Sequence, residues 1–171
     1  IKTDSNTATF NIDGNEFELL HVKAEDLSTN GNKLFLCAHD RLVETKDLDK
    51  YIVDLDRTIF EKHGFWYIGV LRGKYLDENV DMNRLSFSIP DGGIARSLVG
   101  VTSIDEILSR AVEKISEFLK EFLEPISTAK KENIVKYITE KAPQFKHLLK
   151  YMPDKILEIK PNLSEDKLDD E

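Results

Sequence analysis

Residues 65–71 read FWYIGVL, a continuous apolar run rich in aromatic and β-branched residues that lies between Gly64 and Gly73. Its length, composition and flanking glycines predict a central β-strand. Upstream, residues 33–38 read KLFLCA and form a second apolar run of strand length. Between the two runs a helical spacing begins at Asp47, with apolar or aromatic side chains at Leu48, Tyr51, Ile52, Leu55 and Ile59. The order strand, helix, strand predicts a βαβ element in a mixed sheet.

The N-terminal residues carry a hairpin signal. TATFNI at residues 7–12 and NEFELLHVK at residues 15–23 flank Asp13-Gly14, and this dipeptide is favoured in tight hairpin turns because both residues tolerate positive φ. HDRLV at residues 39–43 follows KLFLCA directly and predicts a turn or bulge there. We therefore expect residues 1–100 to form an α/β domain.

The pattern becomes helical beyond Asp91-Gly92-Gly93, which reads as a linker or flexible turn. Ser103 and Glu106 form a capping-box pair that predicts the start of a long helix ending before Pro125. Its apolar stripe comprises Ile104, Ile107, Leu108, Ala111, Ile115, Phe118, Leu119 and Phe122. Two shorter helices should follow, the first over residues 129–141 and the second opened by Pro143. The stripe through Phe118 should pack on the inward side chains of the first, which are Ile134, Val135, Tyr137 and Ile138.

These patterns predict an α+β fold, in which a mixed β-sheet with a βαβ element is followed by a C-terminal helical bundle segment at residues 101–171. The chain has no initial methionine and ends in the charged stretch SEDKLDDE, so we expect an excised fragment that is truncated at its C-terminus. The lone Cys37 lies inside an apolar run, which indicates a buried thiol in a reducing compartment and a cytoplasmic location.

The composition and the missing motifs argue against several classes of function. The net charge of −8 argues against a protein that coats DNA, because neutralising phosphates requires clustered Lys and Arg. No run of eighteen apolar residues indicates a membrane span. The four histidines are widely spaced, and the sequence contains no HExxH, CxxC, GxSxG or Walker motif. We therefore expect no dedicated metal site, and we expect the fragment alone to be inactive as an enzyme.

Arg84 is the first candidate for a functional residue. It lies in LDENVDMNRLSFSI at residues 76–89, where an acidic loop is followed by the alternating apolar residues Leu85, Phe87 and Ile89. A period-2 strand at these positions would anchor the loop and present the arginine at its edge. A guanidinium held in this way can bind a phosphate or a carboxylate through two hydrogen bonds.

Two blocks of the chain resemble a known family. FLCAHDRLV, with Arg41 and Val43, resembles the strand F-V-N-G-R-x-V in the transducer domain of MutL-type GHKL ATPases. The family's later stretch V-D-V-N-V-H-P-T-K is matched by residues 76–84, so that Arg84 takes the place of the phosphate-sensing lysine. The resemblance covers roughly residues 7–90. His39-Asp40 stands where the family has N-G, and Asp81-Met82 where it has H-P, which fits a divergent, chaperone-like branch better than mismatch repair.

The resemblance implies a transducer domain that follows an N-terminal ATP-binding domain of the same chain. In the parent protein ATP and Mg would be the cofactors, Arg84 would contact the γ-phosphate as a catalytic and cofactor-binding residue, and a homodimer is left open. The ATP-site signatures of such a preceding domain are absent from this sequence. The fragment would then relay the nucleotide state to the C-terminal helices.

Two other readings remain open. The first is a protein-interaction module without a link to nucleotide, in which the helices of residues 103–152 form a docking surface. The second is a nucleic-acid-binding α/β domain in which basic residues follow the backbone and aromatic residues stack on bases. Its basic residues would be Lys62, Arg72, Lys74 and Arg84, and its aromatic residues Trp66, Tyr67 and Tyr75. All three aromatic residues are also consistent with a place in the sheet core, and we prefer that interpretation for Trp66.

Overall fold

The computed structural model describes residues 5–25, 31–55, 57–83, 85–92 and 101–141. Its strands form one mixed five-stranded sheet in the order β1-β2-β5-β3-β4. The strands are β1 (Ser5–Ile12), β2 (Asn15–Ala24), β3 (Lys33–Ala38), β4 (Arg41–Asp47) and β5 (Trp66–Arg72). The central place of β5 confirms the interpretation of FWYIGVL, and the mixed sheet with its helices confirms the α+β class.

The strand pairings follow the local signals of the sequence. Asp13 and Gly14 have φ of 50° and 83° and close the antiparallel β1–β2 hairpin, as predicted. β5 runs antiparallel to β2 and parallel to β3. The connection between the parallel strands β3 and β5 contains the hairpin strand β4 as well as a helix.

The described helices are α1 (Arg57–His63), α2 (Lys74–Glu78), α3 (Ile104–Phe118) and α4 (Lys120–Glu140). The predicted helix starting at Asp47 is wrong for residues 48–55. These residues contain one 3-10 turn, at Leu48–Lys50, and no α-helix. The physical reason is the buried Asn32 side chain, which donates to the carbonyl of Leu55 at 3.3 Å and accepts from the backbone N–H of Tyr67 at 2.9 Å. These bonds hold the segment against β5 in a non-helical path.

The helical region begins as expected and then departs from the prediction. Ser103 caps α3 by accepting from the backbone N–H of Glu106 at 3.2 Å. The helix ends at Phe118, however, and Pro125 lies inside α4. The break lies at Leu119, which is fully buried with φ −90° and ψ 3°. Because α4 begins immediately afterwards, Pro125 is its sixth residue, beyond the first turn, and its missing N–H leaves the carbonyl of Glu121 without that intrahelical donor.

One hydrophobic core unites the described parts of both predicted segments. Phe17, Leu19, Leu36 and Leu71 from the sheet share this core with the stripe of α3. The predicted pairing of Phe118 and Phe122 with Ile134, Tyr137 and Ile138 is not what the structure shows. Phe118 stacks on His21 with ring centroids 4.3 Å apart, and Phe122 lies edge-on to Phe65 at 5.2 Å. The α3 stripe therefore packs on the sheet. The helix opened by Pro143 lies outside the described residues.

Candidate functional site

Three chain connections meet at one end of the central strands, which we call this edge of the sheet. The carboxyl ends of the parallel strands β3 and β5 lie at this edge, and β2 begins there because Glu18 pairs with Arg72 across the antiparallel ladder. The β1–β2 turn, the His39-Asp40 turn and the start of α2 consequently surround a cleft of about 980 Å³. A crevice beyond the carboxyl ends of parallel strands is a common place for a binding site.

The cations of this cleft are already engaged by carboxylates. Arg72 donates to Glu18 at 3.0 Å and 3.4 Å and lies 3.8 Å from Asp40. Lys74 lies 3.5 Å from Glu78. A phosphate backbone in this cleft would have to displace these partners.

Two of the three aromatic residues of the nucleic-acid interpretation are unavailable as stacking groups, whereas Tyr75 is half-buried and lines the cleft. Trp66 is buried and stacks on Phe60 with centroids 4.8 Å apart. Tyr67 is fully buried, and its hydroxyl lies 2.7 Å from Nδ1 of His21. Burial raises the pKa of Tyr67 and lowers the pKa of His21 to about 4, so both groups are neutral at pH 7. Trp66 and Tyr67 are core residues.

The turn between β3 and β4 has an unusual backbone. His39 and Asp40 both have positive φ, of 49° and 60°. Two-residue hairpin turns of this kind favour Asn-Gly, because non-glycine residues seldom adopt the left-handed region. The backbone N–H of His39 donates to Asp77 of α2 at 2.7 Å, which ties the turn to the opposite side of the cleft.

The segment between α2 and α3 carries the predicted site residue. Arg84 itself lies outside the described residues. The predicted strand at Leu85–Ile89 is wrong: pairing is limited to a single bridge between Val80 and Phe87, and Leu85 is 75% exposed. Asp81 is the reason, because its carboxylate accepts from the backbone N–H groups of Leu85 at 2.7 Å and Ser86 at 3.5 Å and folds the loop back on itself.

The far end of this segment is joined to the first turn of α3. The backbone N–H of Ile104 donates to the carbonyl of Pro90 at 3.1 Å, and that of Gly92 donates to the carboxylate of Asp105 at 2.9 Å. The interpretation of Asp91-Gly92-Gly93 as a linker missed these contacts. The acidic residues in the first helical turn were the available signal, since such carboxylates often accept from nearby backbone N–H groups.

Thr102 links the start of α3 to the β1–β2 turn and to α2. Its hydroxyl donates to Asp13 at 3.2 Å, and its carbonyl accepts from the hydroxyl of Tyr75 at 3.0 Å. Burial and the nearby Asp13 carboxylate raise the pKa of Tyr75, which keeps the phenol protonated as a donor. The start of α3 is thus held by the β1–β2 turn, by α2 and by residues 90–92.

Other candidate chemistries find little support in the part of the chain that the structure describes. No group of three or more His, Cys, Asp or Glu side chains there could hold a metal ion, and no described helix is both long and apolar enough to cross a membrane. Cys37 is half-buried rather than fully buried as predicted, and burial raises the pKa of its thiol. The α3 part of the predicted docking surface has its apolar stripe in the core, and residues 142–152 of that surface lie outside the described residues.

Comparisons with protein-family models, with curated proteins and with solved structures found no match for this chain. The proposals below therefore rest on its own residues and contacts.

Proposed function

We propose that this region is the transducer of a GHKL-type ATP-binding protein and relays the nucleotide state of a preceding ATP-binding domain to the helices α3 and α4. The observation that carries the proposal is the pair of hydrogen bonds between residues 90–92 and the first turn of α3. The segment that contains Arg84 is thereby joined to a helix that packs on the sheet.

The mechanism follows from charge and connectivity. In the proposal the guanidinium of Arg84 contacts the γ-phosphate of nucleotide bound in the preceding domain, and a positioned cation stabilises charge that develops on a transferring phosphoryl group. The same contact favours one position of the loop, and the fixed link through Pro90 and Gly92 carries that preference to α3. Nucleotide therefore shifts the population of domain arrangements through its differential contact with the loop.

Two features support the match between this chain and the family motifs that contain Arg41 and Arg84. His39 and Asp40 take the conformation that Asn-Gly favours, and Asn-Gly is what the family motif has at this position. In the folded loop at Asp81, Met82 is fully exposed and Leu85 is 75% exposed. A loop of this kind is accessible to a neighbouring domain.

The test uses the complete protein encoded by the gene to which this chain belongs. We expect Arg84→Ala to lower steady-state ATP turnover at least tenfold, which corresponds to about 1.4 kcal/mol of transition-state stabilisation. Arg84→Lys should recover part of the rate, because a point charge remains but cannot form two parallel hydrogen bonds. Arg110→Ala is the matched control, since Arg110 is an exposed arginine of α3 whose ion pair among the described residues is with Glu113, one turn away.

Equal turnover in the wild type and Arg84→Ala, with unchanged melting temperatures, would refute the role of Arg84. A complete protein that neither binds nor hydrolyses ATP would refute the proposal as a whole. Residues 1–171 by themselves should show no tight binding of ATP and Mg²⁺ in isothermal titration calorimetry, because the nucleotide-binding residues would belong to the other domain.

The relay itself has a separate test. Asp105→Ala removes the acceptor of the Gly92 N–H and should leave basal ATP turnover within about twofold of wild type. Hydrogen exchange of α3 in the complete protein should then respond less to nucleotide than it does in wild type. Glu113→Ala, which removes an exposed carboxylate further along α3, should leave the nucleotide response intact.

A further inference from the structure

The sequence places Arg84 in the tip of a short hairpin between α2 and α3. The backbone N–H of Asp81 donates to the carbonyl of Ser86 at 3.0 Å, next to the single bridge between the two sides. Residues 82–85 therefore join the two sides as a four-residue tip, and Arg84 is the third of them. The position of a side chain at such a tip depends on how firmly the backbone of the tip is held.

The base of this hairpin is fixed to the body of the domain. The side-chain amide of Asn79 donates to the carbonyl of Tyr75 in α2 at 2.8 Å, and the backbone carbonyl of Asn79 accepts from the backbone N–H of Ser88 at 2.7 Å. Ile89 is buried in the core, and Phe87 packs against that core. The base therefore gives the tip a rigid support.

Packing does not hold the tip itself. Met82 is fully exposed and Leu85 is 75% exposed. Among the described residues, the side-chain hydrogen bonds to this part of the hairpin come from Asp81, whose carboxylate accepts from the backbone N–H groups of Leu85 at 2.7 Å and Ser86 at 3.5 Å. A hydrogen bond to a charged acceptor is stronger than one between neutral groups. The Asp81 carboxylate is therefore the group that fixes the backbone immediately after Arg84.

The departure of this chain from the family motif fits such a role. The matched motif has proline at the position of Met82, and a proline ring restricts the backbone by fixing φ. This chain has no proline between residues 76 and 89. Its loop is restricted instead by Asp81, a residue type that commonly accepts hydrogen bonds from nearby backbone N–H groups. A different residue thus supplies the stiffness of the loop.

We propose that Asp81 is a positioning residue, which fixes the backbone around Arg84 for its contact with the γ-phosphate. The inference rests on the proposed function and deepens it, because it assigns to a second residue of this chain the task of keeping the guanidinium in place. The carboxylate acts as a hydrogen-bond acceptor for the backbone and takes no part in the reaction itself. Holding a catalytic group in its reactive position lowers the entropy that is lost in the transition state.

Steady-state ATP turnover of the complete protein tests this role. We expect Asp81→Ala to lower kcat about three- to tenfold, the loss expected for one or two such hydrogen bonds, and to leave KM within about twofold of wild type. Asp81→Asn keeps a side-chain oxygen that can accept from the Leu85 N–H and should recover most of the rate. Asp49→Ala is the matched control, because Asp49 is an exposed aspartate in the 3-10 turn at Leu48–Lys50. It should turn over ATP as wild type does.

The double variant Asp81→Ala/Arg84→Ala separates positioning from a general effect on the fold. If Asp81 acts through Arg84, its loss has no further effect once the guanidinium is gone, so the double variant should turn over within about twofold of Arg84→Ala alone. Hydrogen exchange gives a readout that does not need ATP. In the complete protein the backbone N–H of Leu85 should exchange faster in Asp81→Ala than in wild type, and at a rate close to wild type in Asp81→Asn.

The possible failures of this inference and of the proposed function can be told apart. Wild-type turnover in Asp81→Ala together with a slow Arg84→Ala would overturn the positioning role and leave the proposed function standing. Wild-type turnover in both variants would overturn the positioning role and the role of Arg84 together. Equal losses in Asp81→Ala and Asp81→Asn would assign the effect to charge and contradict the inference. A double variant several-fold slower than Arg84→Ala, or unchanged exchange of the Leu85 N–H in Asp81→Ala, would also contradict it.

Discussion

The ion pair between Lys130 of α4 and Asp54 is the contact whose removal tests the packing of α4 most directly. The Lys130 side chain is 3% exposed and that of Asp54 is 18% exposed, and the two residues are 76 positions apart in the chain. Lys130→Met retains most of the aliphatic stem but removes the charge, so the Asp54 carboxylate loses this counter-ion. Asp54→Asn leaves the ammonium group in place and removes the opposite charge.

The burial of the two partners determines the size of each effect. Breaking a buried ion pair from one side typically costs about 3–5 kcal/mol, because an uncompensated charge stays out of water. Asp54 recovers some hydration through its exposed fraction, so we expect Lys130→Met to cost about 3 kcal/mol. The Lys130 side chain is more deeply buried, so we expect Asp54→Asn to cost at least as much, about 3 kcal/mol or more. Lys130→Met combined with Asp54→Leu should recover at least half of either loss.

Urea unfolding followed by the fluorescence of the single tryptophan, Trp66, measures these changes in the free energy of unfolding. Lys120→Met on the same helix is the control, because Lys120 forms an exposed pair with Glu124 at 3.5 Å. The control should lose less than about 0.5 kcal/mol. A loss below about 1 kcal/mol in Lys130→Met, or a loss equal to that of the control, would refute the assignment of this pair as the anchor of α4.

Two further predictions concern the contact between β2 and α3. The pKa of His21 is about 4 in the folded protein and near 6.5 in the unfolded chain, so the unfolded state binds the proton first and stability falls as pH drops from about 6.5 to about 4, by up to about 3 kcal/mol. His21→Gln should lack this component, and a difference in unfolding free energy between wild type and variant that stays constant from pH 7 to pH 4 would contradict it. Phe118→Ala removes the ring stacked on His21 and should cost about 2–4 kcal/mol in urea unfolding, whereas the exposed Val135→Ala should cost less than about 0.5 kcal/mol. A loss below about 1 kcal/mol in Phe118→Ala would show that this ring contributes little to the packing of α3 on the sheet.

The correct sequence predictions share a local origin. The Asp13-Gly14 turn, the Ser103 cap and the strand FWYIGVL depend on residues within a few positions of one another. Turn conformation, capping and strand propensity act over that distance, so the sequence alone was sufficient.

The wrong predictions share a different origin. Residues 48–55 are held out of a helix by Asn32, at least sixteen positions away. The helix breaks at Leu119, whose side chain is buried in the core that the sheet shares with the helices and with residues 48–55. The link from Gly92 to Asp105 joins residues that are 13 positions apart. Periodicity within one segment carries no information about such partners.

For this protein, the sequence by itself determined the class of fold, the first hairpin, the central strand and the start and apolar stripe of α3. Only the tertiary structure decided which face of the sheet α3 covers, because a strand that is apolar on both sides, such as β5, reads the same whichever face is buried. It also decided that Arg72 and Lys74 are neutralised within the cleft and that residues 90–92 dock on α3. Those outcomes depend on side chains brought together from distant positions, where packing and charge pairing between elements outweigh the local preferences of each.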